Sequence, residues 1–276
     1  MKSIAWISSD GDRLEIRNGN DQNYYLSQIT GLNSADMEVL TQRAPYQSGR
    51  TSIDALVRSR SIKFRLVIRQ TSTLDLEGAR RYIGRIFSPI NYLGQVNLGR
   101  LEYIRDDDLE FAIDAVPSGL DMPGTSPSRG PRHQLASIYL ECEDGFFRDL
   151  TASTQALVID VSQAVLNVGD VPTLPLASIT GPSNIPRLSN LSTGKYIEFS
   201  DNLAAGYRLD LDFRFGKKSA TRVKISDSTT TDWYSLINPA SEWWPLVVGS
   251  NSIKLTSQDT SGSAVLTWSN QYQSIA

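Results

Sequence analysis

Groups that do chemistry are scarce in this chain. Its 276 residues include one cysteine, one histidine and three methionines. A lone Cys142 rules out an intrachain disulfide and any zinc cluster built on cysteine. It lies in the apolar run Ile138-Tyr-Leu-Glu-Cys142, the setting of a buried structural thiol and not of a nucleophile. The absence of disulfides fits assembly in a reducing cytoplasm. A hydrolytic triad would have to pass through His133, which sits in a Pro/Gly/Ser-rich stretch where a base is poorly held, and no Gly-x-Ser-x-Gly is present. Phosphate-cradling glycine loops are missing as well. No apolar run approaches the ~20 residues of a membrane span. The opening Met1-Lys-Ser-Ile-Ala-Trp6 has too short an apolar core for a signal peptide, so export by the general secretion route is not expected. No cofactor and no metal is expected, and the chain reads as a non-enzyme.

Carboxylates are plentiful, yet their spacing is mundane. Asp210 with Asp212, and Glu141 with Glu143, alternate with apolar neighbours and read as outward strand faces. Asp106-Asp107-Asp108 lacks the alternating spacing that wraps calcium and reads as a hairpin turn.

The net charge is only −3, but it is unevenly spread. Residues 41–105 carry 12 basic and 4 acidic side chains; residues 106–150 carry 3 and 10. Unlike blocks of this kind suit head-to-tail contact between identical subunits, or two solvated faces of a monomer. Arg58, Arg60 and Arg65 on the basic side, and Asp106, Asp107 and Asp108 on the acidic side, are the candidate interface residues. The basic stretch has no exposed aromatic platforms beside it, which argues against single-strand nucleic-acid binding.

Most segments read as strands. Leu14-Glu-Ile16 and Tyr24-Tyr-Leu26 flank the polar turn Asn18-Gly-Asn-Asp21 and predict a hairpin. Ile62, Phe64, Leu66 and Ile68 share one face of a half-buried strand with basic residues outward. Residues 75–87 alone have a helical period, with Leu76, Ala79, Ile83, Ile86 and Phe87 on one side and Thr73 or Asp75 as cap. Two strands flank Asp106–Asp108, Ser118 to Pro131 reads as a long loop or arm, and strand returns from Gln134. Past a boundary near 148–157 come short strands with turns every eight to twelve residues, the texture of a β-sandwich or jelly roll. Trp233, Trp243 and Trp244 in that half are candidate sugar-stacking residues; filling a core is the ordinary alternative for large aromatics.

The order of these pieces resembles the distal tail protein family of long-tailed phages. In the first half the resemblance rests on Ile29-Thr-Gly-Leu32, Arg43-Ala-Pro-Tyr46-Gln-Ser-Gly-Arg50, the strand Ile62–Ile68 and the helix around Ala79–Ile83. In the second it rests on Val168-Gly-Asp-Val-Pro-Thr173, Ile179-Thr-Gly-Pro182, Leu188–Ile197, Trp244–Ile253 and Ala264–Tyr272. The resemblance implies residues 1–150 as a ring-forming belt domain, a split β-barrel with one α-helix. It implies residues 151–276 as a galectin-like β-sandwich, with the last few residues free to pack back on the first domain. It further implies a homo-hexameric ring at the virion tail tip, joining the tail tube protein to the hub or tail-associated lysin. DNA and tape-measure protein would pass through as cargo, without a membrane. Receptor-binding proteins or host glycans are further partners in that picture; a carbohydrate-binding or host-adhesion module is the alternative function. No long insertion of the kind some relatives use as a gripping arm is present in the second half.

Overall fold

The computed structural model describes residues 3–17, 23–125, 128–258 and 262–275. The chain divides into two compact units, Met1–Leu150 with Tyr272–Ala276, and Thr151–Gln271.

The first unit is built from β1 (Ser3–Ile7), β2 (Arg13–Arg17), β3 (Tyr24–Thr30), β4 (Met37–Gln42), β5 (Thr51–Val57), β6 (Arg60–Arg69), α1 (Thr73–Ile86), β7 (Gly99–Ile104), β8 (Glu110–Asp121), β9 (His133–Cys142) and β10 (Phe147–Asp149). Seven strands run in the order β8-β7-β1-β2-β3-β6-β9, and β9 returns to β8 to close a barrel. Closure depends on the length of β8. Its first half pairs with β7 from Glu110 to Ala115, and its second half pairs with β9 from Ala115 to Asp121. Between these halves the register shifts at Pro117–Gly119, where a proline without an N–H and a glycine let the strand bend.

Alternation directs the side chains. Along β9 Gln134, Ala136, Ile138, Leu140 and Cys142 point inward, and on its partner β6 so do Arg60, Ile62, Phe64, Leu66 and Ile68. The helix closes over this core with Leu76, Ala79, Ile83 and Ile86; Phe87 follows and stacks at 5.5 Å on Trp6. Its cap is Ser72, whose Oγ accepts from the Asp75 N–H and donates to the Asp75 carboxylate, in place of the expected Thr73 or Asp75. Hydrogen bonds from the Ser72 and Thr71 hydroxyls hold the Asp75 carboxyl below its ordinary pKa.

Two further expectations need correction. β2 and β3 pair in parallel, through Arg17 and Tyr25, and so do not form an antiparallel hairpin; the turn at Asn18–Asp21 lies outside the described residues. The long loop starts later than expected, because Ser118–Asp121 belong to β8.

The second unit comprises β11 (Ser153–Val158), β12 (Ser162–Asn167), β13 (Leu176–Thr180), β14 (Arg187–Asn190), β15 (Lys195–Glu198), β16 (Tyr207–Asp212), β17 (Ser219–Lys224), β18 (Thr230–Asp232), β19 (Gly249–Thr256) and β20 (Ser263–Trp268); the short β21 (Gln271–Tyr272) follows. A six-stranded sheet, β11-β20-β13-β16-β17-β18, faces a four-stranded sheet, β12-β19-β14-β15. Ile179, Leu209, Leu211 and Leu266 from one meet Val165, Leu188, Ile197 and Ile253 from the other in a single core. The fold is thus mainly β: a closed barrel with one helix, then a sandwich.

Candidate subunit interface

The expected interface residues meet different fates. Arg65 projects outward from β6, and Arg58 lies exposed after β5 with its guanidinium 3.5 Å from Glu38. Arg60 is the correction. It occupies the inward row of β6 and is only 3% exposed. Its guanidinium donates to the carbonyls of Gly31 (2.7 Å), Asn33, Gly145 (2.8 and 3.0 Å) and Gln273 (2.6 Å), and lies 4.6 Å over the Phe147 ring. Burial pulls its pKa below the ordinary arginine value. A cation so enclosed is a tie within the subunit and is not free to meet a second one. The acidic residues form the exposed β7–β8 turn. Arg105 grips Asp107 in a bidentate pair at 2.7 and 2.9 Å, which drops the Asp107 carboxyl to a pKa of about 2.

A larger exposed apolar feature escaped the sequence reading. Among the described residues β4 and β5 pair with one another and with no other strand. Nearly every residue of the two is exposed, Met37, Val39, Leu40, Ile53 and Leu56 among them, and Ile53 is 64% accessible. The register sets Met37 opposite Val57 and Val39 opposite Ala55, an uncharged face. Glu38 opposes Leu56 and Leu40 opposes Asp54 on the other face. A two-stranded ribbon with both faces in water has little to hold it, since isolated hairpins are marginal. The signal was available: turn residues 45–49, Pro-Tyr-Gln-Ser-Gly, sit between two runs of apolar and polar residues.

The stretch after α1, residues 88–98, is a second apolar display. It contains no charged residue. Asn91 pins it locally, its side-chain oxygen accepting from the Leu93 and Gln95 N–H groups. Asn97, fully buried, donates to the carbonyls of Ile86 and Ser88 and accepts from Ser9. With its backbone tied down in this way, the loop holds Ile90, Tyr92, Leu93, Val96 and Leu98 outward.

The residues considered for chemistry are otherwise occupied. His133 opens β9 opposite Arg69, on a strand and not in a mobile loop. Ser61 donates to Glu141. Cys142 is buried, and desolvation lifts its thiol pKa to about 12. At pH 8 the thiolate fraction is therefore on the order of 10⁻⁴. Native protein should resist a thiol-reactive disulfide reagent, whereas urea-unfolded protein should label once per chain. Stoichiometric labelling within minutes of the native form would contradict the burial. Among the described residues no group of three or more His, Cys, Asp or Glu could hold a metal ion, and no helix is long and apolar enough to cross a membrane.

The sugar-stacking expectation is overturned for two of its three tryptophans. Trp233 and Trp244 are buried in the sandwich core, packed near Phe199 and Phe213 respectively. Trp243 is half-buried, edge-on to Phe213 at 4.9 Å and stacked with Tyr234. An open groove of about 480 Å³ lies elsewhere, on the outward face of the six-stranded sheet. Its charges are paired internally: Arg208 with Asp210 at 2.8 Å and Arg214 with Asp212 at 2.6 Å, while Ser178 donates to Asp210. Burial alone would raise the Asp212 pKa, but the hydrogen bonds from Arg214 outweigh it and hold the carboxyl low.

Residues 168–272 match the family described as siphovirus-type tail component, C-terminal domain. No curated protein matches the sequence. Over 98% of this chain and 99% of the other, the fold is similar to that of SPP1 Dit, described as a paradigm of the hub adsorption apparatus in phages infecting Gram-positive hosts (TM-score 0.71, 13% identity). It is also similar, over both full lengths, to chains of the phage P2 baseplate in its activated conformation with calcium (TM-score 0.55, 9% identity) and with strontium (TM-score 0.55, 8% identity).

Proposed function

We propose that this chain, whose residues 168–272 match the siphovirus-type tail component C-terminal domain and whose fold is similar to that of SPP1 Dit, is a distal tail protein: a structural, non-enzymatic ring subunit of a phage tail tip. Six copies form the ring through residues 1–150. The ring joins the tail tube to the hub proteins of the tip and leaves a channel for tape-measure protein and DNA. The β4–β5 ribbon carries this reading. Its apolar residues face water on both sides in the isolated subunit, which is the condition of a surface built to be covered. Its uncharged face has the composition of the centre of a subunit interface, where charge is depleted. A contact of this kind that is head-to-tail closes into a ring when its rotation permits.

Light scattering from the purified chain tests the proposal together with hydrogen exchange. The expected particle has six times the subunit mass and is ring-shaped in negative stain. Amides of residues 37–57 should exchange slowly in that particle and quickly after dilution to monomer. A particle that stays monomeric up to millimolar concentration, or ribbon amides that exchange at one rate in both states, would sink it.

A further inference from the structure

Because the β4–β5 ribbon pairs only with itself among the described residues, its direction is set where it leaves the barrel. We infer that residues 273–275 are a strap across that root, which fixes the ribbon's direction when docked and lets it swing when undocked. The inference rests on the ribbon being a surface that is covered on assembly, and it names what holds that surface in place.

Two feet join the ribbon to the barrel. Residues 31–36 lead into it without helix or strand, and Arg58 and Ser59 lead out to β6. Irregular chain of this kind must find partners for its backbone outside a ladder. The Asp36 carbonyl accepts from the Arg58 N–H at 2.9 Å, and the Leu32 carbonyl accepts from the Ile275 N–H at 3.1 Å. The Gly31 and Asn33 carbonyls accept from Arg60. That guanidinium opens the strand after the exit foot and also donates to the Gln273 carbonyl at 2.6 Å, so entry foot, exit foot and strap share one clasp. The fit is close. A Cβ on Gly31 would lie 2.3 Å from the Ser61 carbonyl oxygen, and one on Gly145, whose own carbonyl takes two of the Arg60 bonds, would lie 2.4 Å from Val57 and 3.5 Å from Ala35. Ile275 and Leu32 both bury their side chains in the barrel core.

The barrel itself does not run through the strap. Residues 273–275 belong to no strand, and the seven strands close through β8 and β9. Undocking therefore takes the clasp from the root and leaves the sheet, the pattern of a local opening. The strap also follows residues 151–271 in the chain, so the sandwich is made before the strap can dock. Domains fold as units in the order of synthesis, and apolar surface on an incomplete chain invites misassembly. A ribbon that swings until the strap arrives offers a neighbour no fixed apolar face in that interval.

Spin labels on Ser48→Cys, in the ribbon turn, and Glu110→Cys, at the start of β8, read the ribbon's direction; the native Cys142 is buried and stays unlabelled. At a dilution where the chain is monomeric, the intact protein is expected to give one narrow distance distribution. Deleting residues 273–276 should broaden it about twofold and speed amide exchange at residues 32–36 on the order of tenfold, with β1 and β7 unchanged. Ile275→Asn, in the full chain, should do the same to a smaller degree and serves if the deletion misfolds. Equal widths with and without the strap would overturn the inference. Faster exchange spread evenly over β1 and β7 would do so too, because the segment would then be general packing of the barrel. The strap effect in a protein that never assembles would remove the ring reading and leave the strap standing.

Discussion

Replacing Arg60 by methionine is expected to destabilise the first unit by about 3–5 kcal/mol and to free the C-terminal segment. Methionine fills most of the volume, so the loss comes from the charge. Five donated hydrogen bonds to four carbonyls vanish, and the oxygens of Gly31, Asn33, Gly145 and Gln273 lose a charged donor, that of Gly145 in a buried setting. Bonds from charged donors are worth about 1.5–3 kcal/mol each in favourable settings, and stranded buried acceptors cost about 1–3 each. They are not additive, and the largest single-site effects lie near 4–5 kcal/mol. Gln273 is the long-range end of this tie. Beyond it Ile275 is buried in the barrel core and its N–H donates to the Leu32 carbonyl, while Tyr272 packs edge-on against Phe111 at 5.2 Å. Calorimetry should register a fall in Tm on the order of 10 °C. Carboxypeptidase should trim the variant under conditions where wild type is left intact. An unchanged Tm with an intact tail would show that the guanidinium is dispensable. Arg60→Lys should not rescue, because one ammonium cannot reach four carbonyls spread around a planar fork.

Asn251→Leu is expected to produce the corresponding loss in the second unit, about 2–4 kcal/mol. Asn251 is fully buried at the mouth of β19. Its amide donates to the carbonyls of Val247 (2.7 Å) and Gly249 (3.1 Å), and its oxygen accepts from the Val247 N–H (2.9 Å) and from the Asn190 amide (3.2 Å). It thereby fastens a turn in which Gly249 takes φ +90°, a left-handed conformation open to glycine. Leucine matches the size but abandons four polar groups. Four of the five tryptophans, Trp233, Trp243, Trp244 and Trp268, lie in this unit, so tryptophan fluorescence during urea unfolding follows it. The midpoint should move to lower urea with little change in slope. An unshifted midpoint would show that the turn holds without its clasp. Asn251→Asp should be worse at neutral pH, since a carboxylate cannot donate to the two carbonyls and is charged in a closed site.

Local patterns in the chain were enough for much of the fold. Alternation along Ile62–Ile68 and the helical period of Leu76, Ala79 and Ile83 each describe a periodicity that burial imposes on one element, and each is readable without knowing the partner. Continued back by two residues, the same alternation puts Arg60 in the row of Ile62 and Phe64, where the structure buries it. The error lay in treating every arginine of the basic block as solvated, which is the usual rule for charge but fails where carbonyls converge. The parallel pairing of β2 with β3 was not readable, because a one-pair parallel contact has no turn signature.

The amino-acid sequence by itself determined the strand-rich architecture, the single helix and the poverty of reactive groups, since all three follow from composition and short-range periodicity. Only the tertiary structure decided which cation is enclosed, which tryptophans fill a core and which apolar strands are left in water. Those outcomes depend on how a sheet closes. Bending β8 brings β9 to both β8 and β6, converting one face of Arg60 into an interior and leaving β4 and β5 outside the barrel with only each other. Burial is a property of distant segments meeting, and no window along the chain contains it.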